Sequence, residues 1–435
     1  MNVTKRTGMI TLVLTAPLLL AGILGLGWFA FIVMNGTFLC VLVIDYLISR
    51  KHIRYKLTRV SSTTYSLHAR EQMGFEFENR CPYTLKFVLR DEKPDFGLQY
   101  HCNYINGQVP AGEEKRFFYE ITPKKRGDHK FNKVWVKKTS MLGLLELHDE
   151  WHLPFEVQVY PNVKKLSNYK MRLVKSRRFL EAMRPTRLKA KGHSFESLKE
   201  YTSGDDYRSI NWQATARAMH PIVNEYQLEN NQRIYLMLDI GRTMSYTVKG
   251  FRKLDLVINT AVVLSDIINQ SKDLVGLTSF DHEVATSLVP SKGPMHRKRI
   301  VESLYKVEAS MSEPNYQQAW LSVLKREKHR SMMILFTDFE TLQDVNRFVE
   351  ASAIVLKKHV VIVLMIEDES IKQHSLNDKE SIFVQGTALE LMHEKKKIIK
   401  KLASHGVFAA MCKPETIEMT AINHYLEAKA KLTGM

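Results

Sequence analysis

Between Arg6 and Asp45 the chain carries no charged residue. That one run restricts the fold more than any other feature. Wound as a single α-helix it would extend about 57 Å, against a hydrocarbon core of ~30 Å. Two spans fit better, over residues 9–24 and 28–48, with a tight turn at Gly25-Leu26-Gly27 and Trp28 at an interface. Lys5 and Arg6 precede the run; Arg50, Lys51, Arg54 and Lys56 follow it. Positive charge at both ends puts both ends on the cytoplasmic side. The expected anchor is therefore a two-helix hairpin over residues 1–50 of a multi-pass cell-membrane protein, with the bulk of the chain in the cytoplasm. Asp45 is expected near the cytoplasmic interface, within reach of water.

The remaining chain is long enough for two or three domains. Four cysteines, Cys40, Cys81, Cys102 and Cys412, have neither disulfide-framework nor zinc spacing, which fits a reducing compartment. The formal net charge of +17 favours acidic partners, membrane lipid among them.

Residues 51–161 alternate in the manner of short strands: Thr64-Tyr65-Ser66-Leu67, Phe75-Glu76-Phe77, Leu85-Lys86-Phe87-Val88-Leu89, Phe117-Phe118-Tyr119 and Val134-Trp135-Val136. Turns are expected at Glu92-Lys93-Pro94, Asn106-Gly107, Pro110-Ala111-Gly112 and Arg126-Gly127-Asp128. The pattern predicts a β-sandwich-like region of immunoglobulin type, acting as spacer or docking module. A basic linker follows over 162–232. Aromatic residues are thin in its basic part, so stacking recognition of nucleic acid is not supported.

From residue 233 to 435, continuous apolar strands alternate with helical patterns. Strands are expected over 234–238, 274–280, 284–289, 332–336, 359–366 and 407–411. This predicts an α/β domain with a doubly wound, mainly parallel sheet covered on both faces. Ligands of such sheets bind beyond the carboxyl ends of the strands. Two of those ends carry carboxylates: Asp239, opening Asp239-Ile240-Gly241-Arg242-Thr243-Met244-Ser245, and Asp338, closing Leu335-Phe336-Thr337-Asp338. Brought together, they offer oxygen ligands of the kind a hard divalent cation takes. Lys395-Lys396-Lys397 and Lys400-Lys401, around Ile398-Ile399, read as the solvated face of a helix.

The strand-end pattern resembles the metal-ion-dependent adhesion site of von Willebrand A domains. Asp239 matches its first Asp, Thr243 its second hydroxyl and Asp338 its later Asp. Gly241 departs from the first hydroxyl, and where a separate Thr is due, around residues 310–316, the chain offers Ser312. The resemblance implies a degenerate site at Asp239, Thr243 and Asp338 that would take Mg²⁺.

A second resemblance lies upstream. The stretch Gly192-His193-Ser194-Phe195-Glu196-Ser197-Leu198-Lys199-Glu200-Tyr201, continuing Thr202-Ser203-Gly204-Asp205-Asp206-Tyr207-Arg208-Ser209-Ile210-Asn211-Trp212-Gln213-Ala214-Thr215-Ala216-Arg217, is similar to the signature of the family numbered fifty-eight among domains of unknown function. Val159-Tyr160-Pro161, Arg126-Gly127 and Tyr425-Leu426-Glu427-Ala428-Lys429 also fit. The resemblance implies a short membrane anchor, a β-region and a von Willebrand A-like domain. It also implies a partner, a MoxR-type AAA+ ATPase, for which the chain would be an adaptor. In the signature, Ser203 with Asp206 has the form of a capping box opening a helix. Gly204, Asp205, Asp206, Arg208, Trp212 and Arg217 are read as a structural clamp, with a partner-binding surface as the alternative.

Enzyme signatures fail on inspection. Gly192-His193-Ser194-Phe195-Glu196 lacks the final glycine of a nucleophile elbow and follows no strand. There is no P-loop and no HExxH. The expected function is a membrane-tethered adaptor or scaffold rather than an enzyme. The alternatives are a metal-dependent hydrolase, for which no activating base is visible, and a structural protein of envelope assembly.

Overall fold

A computed structural model describes residues 2–23, 27–93, 97–161, 194–202, 207, 210–227, 232–376 and 381–433. The chain divides into two compact units, Met1–Asn162 and Val163–Met435, each described here by itself. The expected linker over 162–232 falls largely outside the described residues, as do Ser203, Gly204, Asp205, Asp206 and Arg208.

The first unit opens with β1 (Asn2–Val3), α1 (Lys5–Ile23) and α2 (Gly27–His52). Among the described residues one helix, Gly27–His52, is long and apolar enough to cross a membrane by length and composition. That is one candidate span among the described residues, against the two expected from the length of the uncharged run.

Nine strands follow: β2 (Tyr55–Arg59), β3 (Thr64–Ser66), β4 (Glu71–Asn79), β5 (Leu85–Asp91), β6 (Leu98–Tyr100), β7 (Tyr104–Val109), β8 (Glu114–Pro123), β9 (Gly127–Thr139) and β10 (Leu145–Tyr160). One sheet has the order β2-β4-β8-β6. The other runs β1-β10-β9-β5-β7, with β3 pairing β10. Period-two alternation builds the core between them. In β4 it turns Met73, Phe75 and Phe77 inward; in β5 it turns Leu85, Phe87 and Leu89 inward. Phe77 and Phe87 stack with ring centres 4.1 Å apart.

The same period carries Asp91 into the core. Arg59 answers it with two parallel bonds of 2.6 and 2.9 Å, and the Tyr119 hydroxyl donates a third at 2.6 Å. Phe75, Phe131 and Phe155 surround the guanidinium, the nearest ring centre lying 4.7 Å away. The sandwich-like region is thus present.

The expected turn at Asn106-Gly107 is not. Both residues lie inside β7, and the glycine is there for close approach: a Cβ would meet the Phe87 ring at 2.6 Å. Asp45 also departs from expectation. It is fully buried.

The second unit opens with β11 (Ser194–Glu200), α3 (Trp212–Ala218) and β12 (Ile222–Gln227), β11 pairing β12 antiparallel. Asn211 caps α3, its side chain accepting from the Ala214 N–H. The α/β domain then runs through β13 (Arg233–Asp239), β14 (Thr247–Val248), β15 (Phe251–Arg252), α4 (Lys253–Gln270), β16 (Leu274–Phe280) and β17 (Val284–Ser291). It continues with α5 (Pro294–Tyr305), α6 (Tyr316–Leu324), β18 (Met332–Phe336), α7 (Leu342–Lys358), β19 (Val360–Ile366), α8 (Glu369–Leu376), α9 (Ile382–Ser404), β20 (Phe408–Cys412) and α10 (Ile417–Thr433).

Its sheet has the order β17-β16-β13-β18-β19-β20, parallel throughout except for the edge strand β17. The central strands are apolar on both faces because both are covered. Ile234, Leu236 and Leu238 pack towards α4, α5 and α10, while Tyr235 and Met237 pack towards α6, α7 and α9. The closing motif of the sequence is an anchor: the Tyr425 hydroxyl and the Lys429 ammonium both bond Asp273 at 2.7 Å, tying α10 to the start of β16.

Candidate functional site at the strand ends

The chain leaves β13 towards β16 and β17 on one side, and returns through β18 to β19 and β20 on the other. The switch therefore falls between β13 and β18, where parallel sheets present their crevice. This topology brings Asp239 and Asp338 together, as expected of adjacent strand ends.

Asp239 is fully buried. Its Oδ2 accepts from the Thr337 hydroxyl at 2.6 Å and its Oδ1 from the Gly241 N–H at 2.7 Å. A hydroxyl has one proton to give, so Thr337 in turn accepts from Tyr316, 2.9 Å away. Burial pushes the Asp239 carboxyl up to about 7; the bonds from Thr337 and Gly241 oppose that rise without cancelling it.

Gly241 stands where the von Willebrand A pattern has a hydroxyl, and packing explains why. A Cβ there would meet the Ser312 carbonyl at 2.8 Å and Asp239 Oδ1 at 3.0 Å. Ser312 contributes that carbonyl, which also accepts from the Arg242 N–H. Thr243 is buried beside this loop, and its hydroxyl has no hydrogen-bond partner among the described residues.

Asp338 has a different environment. Lys253, the first residue of α4, donates to Oδ2 at 2.5 Å; Lys395 of α9 donates to Oδ1 at 2.5 Å and to the Phe339 carbonyl. The Lys253 and Asp338 side chains are almost sealed, whereas Lys395 is one-fifth exposed. Beside them opens a cavity of about 390 Å³ with Tyr246, Ile366, Leu391 and Met411 in its wall.

These residues do not fit a resident divalent cation as they stand. Both oxygens of each carboxylate are engaged, and two ammonium groups already occupy the electrostatic position of the metal. Among the described residues no group of three or more His, Cys, Asp or Glu is placed to hold one.

Neither lysine was visible as a site residue in the sequence. Lys395, expected on a solvated face, points inward to Asp338. The signal lay in the helical period: Lys395 follows Leu391 by four residues and precedes Ile399 by four, and all three line the cavity. The upstream signature separates differently. Trp212 is 72% exposed, Arg217 is exposed, and α3 buries no residue; Gly204, Asp205, Asp206 and Arg208, the other positions of the expected clamp, lie outside the described residues.

The family model described as "Protein of unknown function DUF58" matches residues 197–387, in support of the resemblance carried by the signature. An uncharacterized protein of Bacillus subtilis (strain 168), YeaD, is 22% identical over 57% of this chain and 61% of its own length. An uncharacterized protein of Mycobacterium tuberculosis H37Rv is 20% identical over 41% of this chain and 56% of its own. The chain thus spans about three-fifths of the length of the curated relatives it matches.

Among solved structures, a PapD-like domain of human CEP192 aligns with 25% of this chain and 86% of its own (TM-score 0.21, 13% identity). A proximal thread matrix protein of mussel byssus with a zinc-occupied MIDAS motif aligns with 45% of this chain and 46% of its own (TM-score 0.30, 14% identity).

Proposed function

We propose that this chain is a membrane-tethered adaptor, anchored by a two-span hairpin with its bulk in the cytoplasm. Its C-terminal domain, of von Willebrand A-like type, holds a protein partner at the strand-end crevice. The observation that carries this reading is the placing of Asp239 and Asp338 at the topological switch point, with Lys253 and Lys395 on Asp338 and a cavity alongside. In a metal-dependent adhesion site, a cation bridges the domain to a carboxylate of the partner. Here the two lysines supply that charge from within. A partner carboxylate displacing Asp338 from Lys395, the more exposed of the two, would be held directly by the ammonium. The resemblance to the DUF58 family points to a MoxR-type AAA+ ATPase as the partner, and the exposed Trp212 of the signature is available as a second contact.

The test is a crosslinked pull-down of the full chain in mild detergent, with Mg²⁺ or with chelator, for wild type and Lys395→Ala. The expected result is an ATPase captured equally in both conditions by wild type and lost from the variant. Capture that needs Mg²⁺ would replace the lysine reading with a metal bridge. Absence of any specific partner would sink the adaptor and leave the hydrolase and envelope-assembly alternatives.

A further inference from the structure

The residues around Asp45 show how the first unit meets the bilayer. The exposed apolar surface of α2 does not stop at Asp45. It runs from Trp28 and Phe29 through Val43 and Ile44 to Leu47 and Ile48, with basic residues beginning at Arg50. At 1.5 Å per residue, Trp28 to Ile48 covers about 30 Å, the thickness of a hydrocarbon core. Asp45 then lies roughly 4.5 Å inside the boundary, where a carboxylate left to itself is expensive.

It is not left to itself. The turn between β9 and β10 closes over it. The Ser140 hydroxyl donates to Asp45 at 2.6 Å, the Leu142 N–H at 3.1 Å and the Ser49 hydroxyl at 3.3 Å. The Met141 N–H donates to Ser49 at 3.0 Å. The start of α1 is tied to the same turn, the Thr4 hydroxyl donating to the Gly143 carbonyl and the Thr7 hydroxyl to that of Leu144. The N–H groups of Ser140, Gly143 and Leu145 are bonded within the turn, the last to the Ser140 hydroxyl.

The turn therefore directs the N–H groups of Ser140, Met141, Leu142, Gly143 and Leu145 inward. Its two outward side chains are apolar, Met141 being 50% and Leu142 55% exposed. A segment at the edge of the hydrocarbon core is favoured by N–H groups turned inward and an apolar outer surface; this turn has both at Met141 and Leu142, whose carbonyls accept no hydrogen bond among the described residues and are left to the headgroup water.

We propose that the β9–β10 turn is a membrane-inserted wedge, with Met141 and Leu142 in the acyl region just below the headgroups. The sandwich is then fixed to the bilayer surface by Asp45 rather than hung from a linker. This rests on the reading of α2 as a membrane span, so the test separates the two.

In a full-length background carrying Cys40→Ala and Cys102→Ser, single cysteines are placed by Met141→Cys, Leu142→Cys, Leu39→Cys and Arg70→Cys. Leu39 lies mid-span; Arg70 precedes β4 at the end of the sandwich far from α2. Each is labelled with an environment-sensitive fluorophore and reconstituted into phosphatidylcholine–phosphatidylglycerol vesicles, with and without lipids carrying an acyl-chain quencher. The proposal expects the labels at 141 and 142 to be blue-shifted and quenched as at 39, with the label at 70 unaffected. Quenching at 39 with water-like emission at 141 and 142 overturns the wedge and leaves the span standing. No quenching at 39, 141 or 142 overturns both.

Discussion

Each unit buries a carboxylate against cations, and the two solutions differ in kind. In the sandwich, Arg59 and Asp91 are sealed in the middle of the core, joined by two parallel bonds and walled by three aromatic rings. In the α/β domain, Asp338 is held by two lysines at the end of a strand, beside a cavity, and one of the two is partly exposed. A guanidinium in a fixed fork has one geometry. An ammonium on a four-carbon stem can follow a new acceptor. The first arrangement fixes which strands face each other; the second can exchange partners. Burial of an ion pair therefore marks a site only where the fold leaves a way in.

The comparison can be broken most directly at Arg59. Arg59→Met leaves Asp91 buried without its cation, and a loss of about 3–5 kcal/mol is expected, read as a lower urea midpoint for the first unit's transition. Adding Asp91→Leu should recover much of it. If Arg59→Met alone costs nothing, the pair does not organise the core.

Asp239 gives a pH signature. Its carboxyl, ordinarily near 3.8, stands at about 7 in the fold. Between those values the folded state binds more protons than the unfolded one, so stability falls as pH rises from about 4 to 7, by up to roughly 1.4 kcal/mol per unit. Asp239→Asn cannot titrate and keeps the acceptor for Gly241. The difference in stability between variant and wild type should therefore grow in the variant's favour across that window and level off above it. A difference flat from pH 4 to 8 would mean that Asp239 titrates normally.

The smallest effect is expected at Lys253. Lys253→Met leaves Lys395 on Asp338, so the loss is about 1.5–3 kcal/mol, that of one charged hydrogen bond. The variant removes the donor from Asp338 Oδ2, in a carboxylate that lines one cavity with Thr243. Millimolar Mg²⁺ should then raise the melting temperature of the variant and not that of wild type. Equal shifts in both would mean that the lysine does not occupy the place of a cation.

Much of this was legible in the residues. The parallel sheet was readable because doubly covered strands are continuous in apolar residues, as in 234–238 and 332–336. The sandwich was readable because alternation survives through Phe75-Glu76-Phe77 and Leu85 to Leu89. Asp239 and Asp338 were legible as a pair because strand ends and switch points follow from topology. The turn assigned to Asn106-Gly107 failed because a glycine serves close packing as readily as chain reversal, and the Phe87 ring that presses on it comes from another strand. Asp45 is likewise buried by groups distant in sequence: beside the local Ser49, its donors are Ser140 and Leu142.

The apolar run that offers a membrane span, the two kinds of folded unit and the chemistry at the ends of β13 and β18 can all be read along the chain. These are local matters, written in hydropathy and period along the chain. What each buried charge meets is set by folding alone. Arg59 with Asp91, Lys253 and Lys395 with Asp338, and Ser140 with Asp45 are partners separated by 32 to 95 residues. A carboxylate's worth depends on whether its neighbours are rings, ammonium groups or a turn at membrane depth, and no spacing along one strand or helix encodes that.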